Sequence, residues 1–488
     1  MSKRLILVLA LAFVVGVTCA AYAEVQNVKV SGDITLTGIM RADYTLKNNT
    51  PDSGISGSST WSGDKQEYLL RQVRVRVDAD LTDNVSATVR LLNEGTWGDT
   101  KIYGENGNDD EVSLDLAYVT MKEFLYSPLT LKLGRQEIQF GNGMIVGDPD
   151  TNLAATGWGG TAGVVMANNT SWFYTPAPDL SLRKAFDAVR VTLDYDPLVI
   201  DGIYAVVKEN NVSQDDDTNL FGVNAAYDFK DKMKTVGEAY YFAKYIGRKA
   251  NDSASRSKVD RTDTIGLRVK TEPIENLTTQ VEGAFQFGEY DPVNDPNDVG
   301  TQTYRRREAW AGQAMASYNL DMKYKPVVSG VYAFFSGERK TSTGRTGADD
   351  KYHGWDPMFE NQTFGHIMNS LMEQTNMHIV GLGAKATPME DITLDLNYYA
   401  YRLQRAYNDL DSAILNGLSN GQTYRMSNKK FLGQELDMSL VYDYTEDVQF
   451  SLLAGMFLPG KAFYSGGGEY AKNNNAATEL IGSMKVTF

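Results

Sequence analysis

Short segments in which apolar and polar residues take turns recur along the whole chain, and this period of two constrains the fold more than any other feature. Between Arg71 and Leu81, Val73, Val75, Val77, Ala79 and Leu81 alternate with Gln72, Arg74, Arg76, Asp78 and Asp80. Val85, Ala87, Val89 and Leu91 then alternate with Ser86, Thr88 and Arg90, and Ile265, Leu267 and Val269 with Gly266, Arg268 and Lys270. Successive side chains of a strand point to opposite faces, so each segment has one oily and one wet face. About eighteen such segments can be read, each near the roughly 10 residues of a tilted membrane-crossing strand. A small soluble barrel has an apolar interior. Here the second face is polar, so oil is expected outside a rolled sheet and water within it.

The connections alternate in length. Short turns rich in turn formers are expected at Thr82 to Asn84, Glu123 to Pro128, Asp196 to Pro197, Lys230 to Lys232, Pro273 to Asn276, Asp321 to Met322, Pro388 to Glu390 and Glu446 to Asp447. Between them lie long stretches rich in Asn, Asp, Gly and Ser: 47–66, 98–110, 141–184, 211–217, 248–260, 291–306, 337–374, 406–430 and 459–475. A membrane barrel produces this alternation because one rim carries periplasmic turns and the other extracellular loops. No linker or repeat divides the chain, and past residue 23 no apolar run reaches the length of a spanning helix. The expected fold is all-β: one transmembrane antiparallel up-and-down β-barrel over residues 24–488.

Residues 1–23 read as a cleaved signal peptide, with Lys3 and Arg4, an apolar run from Leu5 to Val17 and the site Ala21-Tyr22-Ala23. The only cysteine, Cys19, leaves with it, and Val17-Thr18 is not the small-residue approach to a lipidated cysteine. The mature chain then has no disulfide and no thiolate chemistry. It keeps 45 basic against 62 acidic side chains, which makes nucleic acid a poor partner. The expected partners are outer-membrane lipid and lipopolysaccharide, the outer-membrane assembly machinery, and a polar or anionic solute. The last segment alternates from Leu480 through Gly482, Met484 and Val486 to Phe488, and resembles the terminal signal by which outer-membrane barrels are recognised for assembly.

The run Leu133-Gly134-Arg135-Gln136-Glu137-Ile138-Gln139-Phe140-Gly141-Asn142-Gly143, continued by Met144 to Gly147, resembles the alginate export family of outer-membrane porins, as does Phe186-Asp187-Ala188-Val189-Arg190-Val191. The resemblance implies an eighteen-stranded barrel and a passive, selective channel for an anionic polysaccharide or a related polar solute. The chain departs from the family pattern at Met144, where an arginine is usual, and at Asp148 to Asn152, which leads into a glycine-rich insertion.

With Asp83 at the centre of its turn, Val77 faces Val89, Ala79 faces Ala87, and Arg76 faces Arg90, roughly 13 Å above Leu81 and near constriction depth. Arg74, Arg76, Arg90, Arg190, Arg268 and Lys270 share inward parity, and Arg135 is expected to line the pore with them, its parity depending on whether Gly134 bulges the strand. Two readings stand side by side: an anion-selective field, or a solvated ladder neutralised by inward acids at Asp78, Asp80, Asp115, Glu282, Glu435 and Asp437. The 44-residue connection 141–184, with Gly157-Trp158-Gly159-Gly160 and Trp172-Phe173-Tyr174, is expected to fold into the lumen, and 337–374 is the second plug candidate. Tyr240-Tyr241-Phe242, Tyr398-Tyr399 with Tyr401, and Tyr442 with Tyr444 are expected in the interfacial girdles.

Acid-rich pieces at Asn108 to Glu111, Asp215 to Asp217 and Asp291 to Asp298 lack EF-hand spacing and read as solvated surface loops. Three histidines, His353, His366 and His378, have no readable serine and acid partners, and no nucleotide, haem, zinc-protease or nucleophile-elbow motif is present. The sequence therefore points to a passive porin with no cofactor, against a rival in which a plugged barrel displays loops or sheathes a partner, and against a non-selective diffusion pore.

Overall fold

A computed structural model describes residues 27–44, 46, 65–98, 112–149, 178–209, 217–247, 259–291, 304–338, 351–407, 412–414, 423–463 and 475–488. The signal peptide and the acid-rich pieces at 108–111, 215–216 and 292–298 lie outside these residues, as does 150–177, with both aromatic clusters of the long insertion.

Eighteen strands form the wall: β1 (Asn27–Ala42), β2 (Lys65–Thr82), β3 (Val85–Thr96), β4 (Ser113–Met121), β5 (Leu129–Glu137), β6 (Ala185–Asp194), β7 (Leu198–Lys208), β8 (Thr218–Asp228), β9 (Val236–Ile246), β10 (Asp260–Ile274), β11 (Leu277–Tyr290), β12 (Arg305–Asn319), β13 (Val327–Phe335), β14 (Met377–Met389), β15 (Ile392–Leu403), β16 (Phe431–Asp443), β17 (Val448–Pro459) and β18 (Ala477–Thr487). Each pairs antiparallel with the next, and β18 pairs with β1, from Asp33 opposite Thr487 to Ala42 opposite Thr478. Hydrocarbon holds no water for an open strand edge, so a spanning sheet must close in this way. Phe488 extends the seam: its N–H and C=O exchange hydrogen bonds with Gly32 at 3.0 and 2.8 Å.

All eight expected short turns lie on one rim, and the strand ends that flank the long connections lie on the other. The register follows as read: Val77 opposes Val89, Arg76 opposes Arg90 and Ala79 opposes Ala87, with a slip confined to the turn between Asp80 and Thr82. The faces also sort as the alternation requires. Leu267 is 65% exposed on the outside, whereas its neighbour Arg268 is 8% exposed on the inside. Apolar out and charged in is the reverse of a water-soluble core, and it fits a sheet that meets lipid.

The interior is not simply wet. Residues 351–376 run inside the wall, beginning with a two-residue strand, Lys351–Tyr352, laid parallel on β12 and including the short helix α1 (His366–Leu371). Trp355, Met358, Phe359, Phe364, Ile367, Met368 and Leu371 are buried there with Phe140 and, from the start of the 141–184 connection, Met144, Ile145 and Val146. The two segments pair: Phe359 N–H donates to Ile145 O at 3.0 Å, Gly147 N–H to Phe359 O at 2.7 Å, and Asn361 N–H to Gly143 O at 2.7 Å. Burial of each large side chain contributes roughly 1.5–3 kcal/mol, so an apolar cluster of this size holds ordered backbone inside an otherwise polar lumen.

Candidate functional site

Five of the seven predicted basic residues face inward and are each held by a carboxylate. Arg74 Nε bonds Asp33 at 2.9 Å, Arg76 Nε bonds Asp78 at 2.7 Å, and Arg190 Nε bonds Asp201 at 2.8 Å. Arg268 reaches Glu238 at 2.5 Å and the Gln280 amide oxygen at 2.7 Å. Arg90 takes Asp115 at 2.5 Å and also Glu137. A register slip after Arg90 leaves Asp115 as the extra, buried residue of β4, where it meets that guanidinium. The opposed Arg76 and Arg90 therefore resolve their repulsion by turning to different acids, and the lumen wall carries the ladder of ion pairs.

Lys270 differs. Among the described residues it closes no ion pair, and it borders a cavity of about 360 Å³ between β10 and β15. Hydroxyls and amides of Thr278, Gln280, Ser317, Ser329 and Asn397 line this space beside the Tyr399 ring, and Thr363 and Phe364 of the inserted segment bound it.

Arg135 is a correction. It carries the parity of Leu131 and Leu133, and its partner Asp187, at 2.7 Å, stands between the inward, buried Phe186 and Ala188. The pair therefore lies on the outer face. Gly134 does take a left-handed φ of +116°, but the register runs unbroken from Ala117 opposite Arg135 to Met121 opposite Leu131. No residue is inserted, so the parity does not switch.

The inserted segment is tied to two separate stretches of the wall. On β16, buried Glu435 accepts the N–H groups of Ile367 at 2.7 Å and Met368 at 2.9 Å, and Asp437 accepts that of His366 at 3.2 Å. These are the donors that the first turn of a helix leaves unpaired, and carboxylates suit them in charge as well as geometry. Tyr401 of β15 donates to Phe364 O at 2.7 Å. At the other stretch, Asp356 receives Lys244 Nζ of β9 at 2.5 Å and Thr262 Oγ1 of β10 at 2.9 Å. Gln286 of β11 exchanges two bonds with the Asp356 backbone, at 2.7 and 2.9 Å. Burial alone would raise the Asp356 carboxyl, but Lys244 and Arg307 hold it well below its ordinary range. At Glu360 burial outweighs the nearby Lys184 ammonium and pushes the carboxyl up to about 8.

Sequence reasoning missed these tethers. Tyr240 and Phe242, read as girdle residues, point inward: Tyr240 OH donates to Glu282 at 2.8 Å, and the Phe242 ring lies 5.2 Å from Phe140. Tyr401 is likewise inward and buried. Tyr442 and Tyr444 do stand outside, in ring contact with each other and with Phe450. The available signal was the unusual apolar content of 355–372 for a loop.

A sequence profile described as alginate export matches residues 56–477. The chain belongs to the alginate export family. A search of curated proteins finds no sequence match. Among solved structures, this alginate export barrel is similar to OccK2 (OpdF) of Pseudomonas aeruginosa, with a TM-score of 0.52 at 10% identity, covering 95% of this chain and 98% of that one. OccK8 (OprE) of Pseudomonas aeruginosa gives 0.51 at 11% identity, covering 95% and 99%, and OccAB2 of Acinetobacter baumannii gives 0.51 at 9%, covering 96% and 99%. At such identities the likeness is one of fold. Family and fold together place the chain in the Gram-negative outer membrane as a barrel porin.

Proposed function

We propose that this member of the alginate export family passes polar, acid-bearing solutes passively beside its inserted segment, and that Lys270 sets their preference. The observation that carries the reading is the contrast among the inward cations: Arg74, Arg76, Arg90, Arg190 and Arg268 are spent on carboxylates, whereas Lys270 faces an open, hydroxyl-lined cavity without an ionic partner among the described residues. An ammonium group in that setting attracts a carboxylate, and the surrounding hydroxyls and amides offer hydrogen bonds to a sugar-like body. The selectivity expected from the whole arginine set narrows to this residue. The family description extends the reading to acidic polysaccharide or its fragments.

The test is the reversal potential of single channels in planar bilayers under a salt gradient. Lys270→Glu is expected to move it toward cations by several millivolts, and an unchanged potential would reject Lys270 as the selecting group. A second reading, a closed barrel that displays its loops, is favoured by the buried apolar cluster inside the lumen. Stable open currents from the unmodified chain decide against it. For assembly, we assign Phe488 as the recognised residue, supported by its pairing with Gly32 at the seam.

A further inference from the structure

The outer face carries one row that the transport reading does not use. The register aligns Phe334 of β13, His378 of β14, Arg402 of β15 and Phe431 of β16 across four neighbouring strands. At about 4.8 Å between strands the row is roughly 14 Å wide. All four stand at the long-loop ends of their strands. Their parity is outward, because Phe335, Met377, Tyr401 and Leu403 beside them are buried inside. Lys429 and Lys430 precede Phe431 and are exposed, as is Arg402.

Among the described residues, neither Arg402, Lys429 nor Lys430 closes an ion pair, and the Lys430 ammonium donates only to a neutral carbonyl, Gln404 O, at 2.7 Å. This sets them apart from the arginines described above, including the outward Arg135, which is neutralised by Asp187. Unpaired cations grouped on the membrane face of a chain with net charge −15 call for an anion from outside the chain. Below the row, toward the short-turn rim, the outward Gln434 of β16 accepts the Tyr398 hydroxyl at 2.8 Å, and around and beneath that pair the outward residues are apolar: Val380 and Leu382 on β14, Leu396 on β15, Leu436 and Met438 on β16. The order along the strands is cation above hydrocarbon, and the row lies at the rim that carries the long loops, where a porin meets the outer leaflet.

We propose that this row binds a phosphorylated glycolipid of the outer leaflet, with its phosphate on Arg402 and Lys430 and its acyl chains along the apolar strip below. Arg402 suits a phosphate because its guanidinium presents a planar fork of donors, and Lys430 adds a point charge one strand away. Phe334 and Phe431 border the cations with rings at headgroup depth, and the Tyr332 hydroxyl, 2.9 Å from His378 Nδ1, fixes that imidazole beside them. A free phosphate ion would satisfy the cations but leave the strip unused, so the lipid is the better fit. The proposal needs only the outer-membrane location and is independent of what the lumen conducts.

The full-length mature barrel, purified in detergent, is mixed with bisphosphorylated lipid A and examined by native mass spectrometry. The unmodified protein is expected to retain the lipid at least tenfold more than the variant R402Q/K430Q, and R402K, which keeps the charge without the fork, is expected to fall between the two. Lipid A stripped of its phosphates is expected to bind the unmodified protein no better than the intact lipid binds the variant. Equal retention by R402Q/K430Q overturns the proposal, as does equal binding of the phosphate-free lipid. Displacement of the lipid by millimolar inorganic phosphate would show an anion site without lipid specificity and also overturns it. The heat-dependent shift of the folded barrel on gels verifies each variant. If R402Q/K430Q fails that control, K429Q/K430Q, exposed and outside the strands, replaces it under the same threshold.

Discussion

Replacing Glu435 with alanine is expected to release the segment that fills the lumen. The Glu435 side chain is 1% exposed and accepts three hydrogen bonds: Ile367 N–H at 2.7 Å, Met368 N–H at 2.9 Å and the Tyr401 hydroxyl at 3.2 Å. Tyr401 retains Phe364 O as a second acceptor, so two backbone donors are left unmet. Each buried donor without a partner costs about 1–3 kcal/mol, and two of them make docking about 2–6 kcal/mol less favourable. That is roughly one and a half to four decades in the ratio of docked to undocked segment, at about 1.4 kcal/mol per decade. Glu435→Gln keeps one acceptor oxygen in place and is expected to behave nearer the unmodified protein. Single-channel recording reads the outcome: E435A shows a larger conductance, or frequent steps to a larger one, and E435Q far fewer. If E435A, verified as a folded barrel, conducts with the same amplitude and noise as the unmodified protein, the segment is not held by this carboxylate and the reasoning fails.

The raised Glu360 carboxyl makes docking pH-dependent. Its value of about 8 lies above the ordinary 4.5, so the docked form takes up a proton, and docking is strongest in acid. It weakens by up to about 1.4 kcal/mol per unit as pH rises from 4.5 toward 8 and is level above that. Conductance is therefore expected to rise between pH 6 and 8 and to be flat in E360Q; parallel curves for the two proteins would refute this. At the seam, a Cβ on Gly32 would lie 2.5 Å from Arg74 O and 2.6 Å from the Phe488 ring. Gly32→Val is expected to cost about 1–3 kcal/mol by overpacking and to lower the temperature at which the barrel loses its compact gel mobility. An unaltered midpoint would mean that the seam tolerates the bulk.

The wall was legible because membrane strands obey a short-range rule: parity sorts each residue to oil or water, and a turn centred on Asp83 fixes Arg76 opposite Arg90 without knowledge of the rest. What each inward arginine does was not legible, since Asp115, Glu137 and Glu238 reach their partners across strands or through a register slip. Arg135 shows the rule working against a guess: parity counted straight through Gly134 gives the outward side that the structure has. Residues 337–374 read as a plug candidate, but the path of the inserted segment was not legible, because its Gly, Asn and Asp content reads as loop while its Trp, Phe and Met residues follow neither strand nor helix period. Inward parity at Tyr240, Phe242 and Tyr401 was in the sequence, but only contact with the segment tells that such rings face protein and not interfacial lipid.

The link that runs from Lys244 through Asp356 to Glu435 works as a tie-rod across the bore. A slim cargo slips past it with the rod in place. On the proposed transport path a cargo too thick to pass beside it has to unfasten one end first, so the step to a wider gauge is set by a few hydrogen bonds and not by the number of staves in the cask.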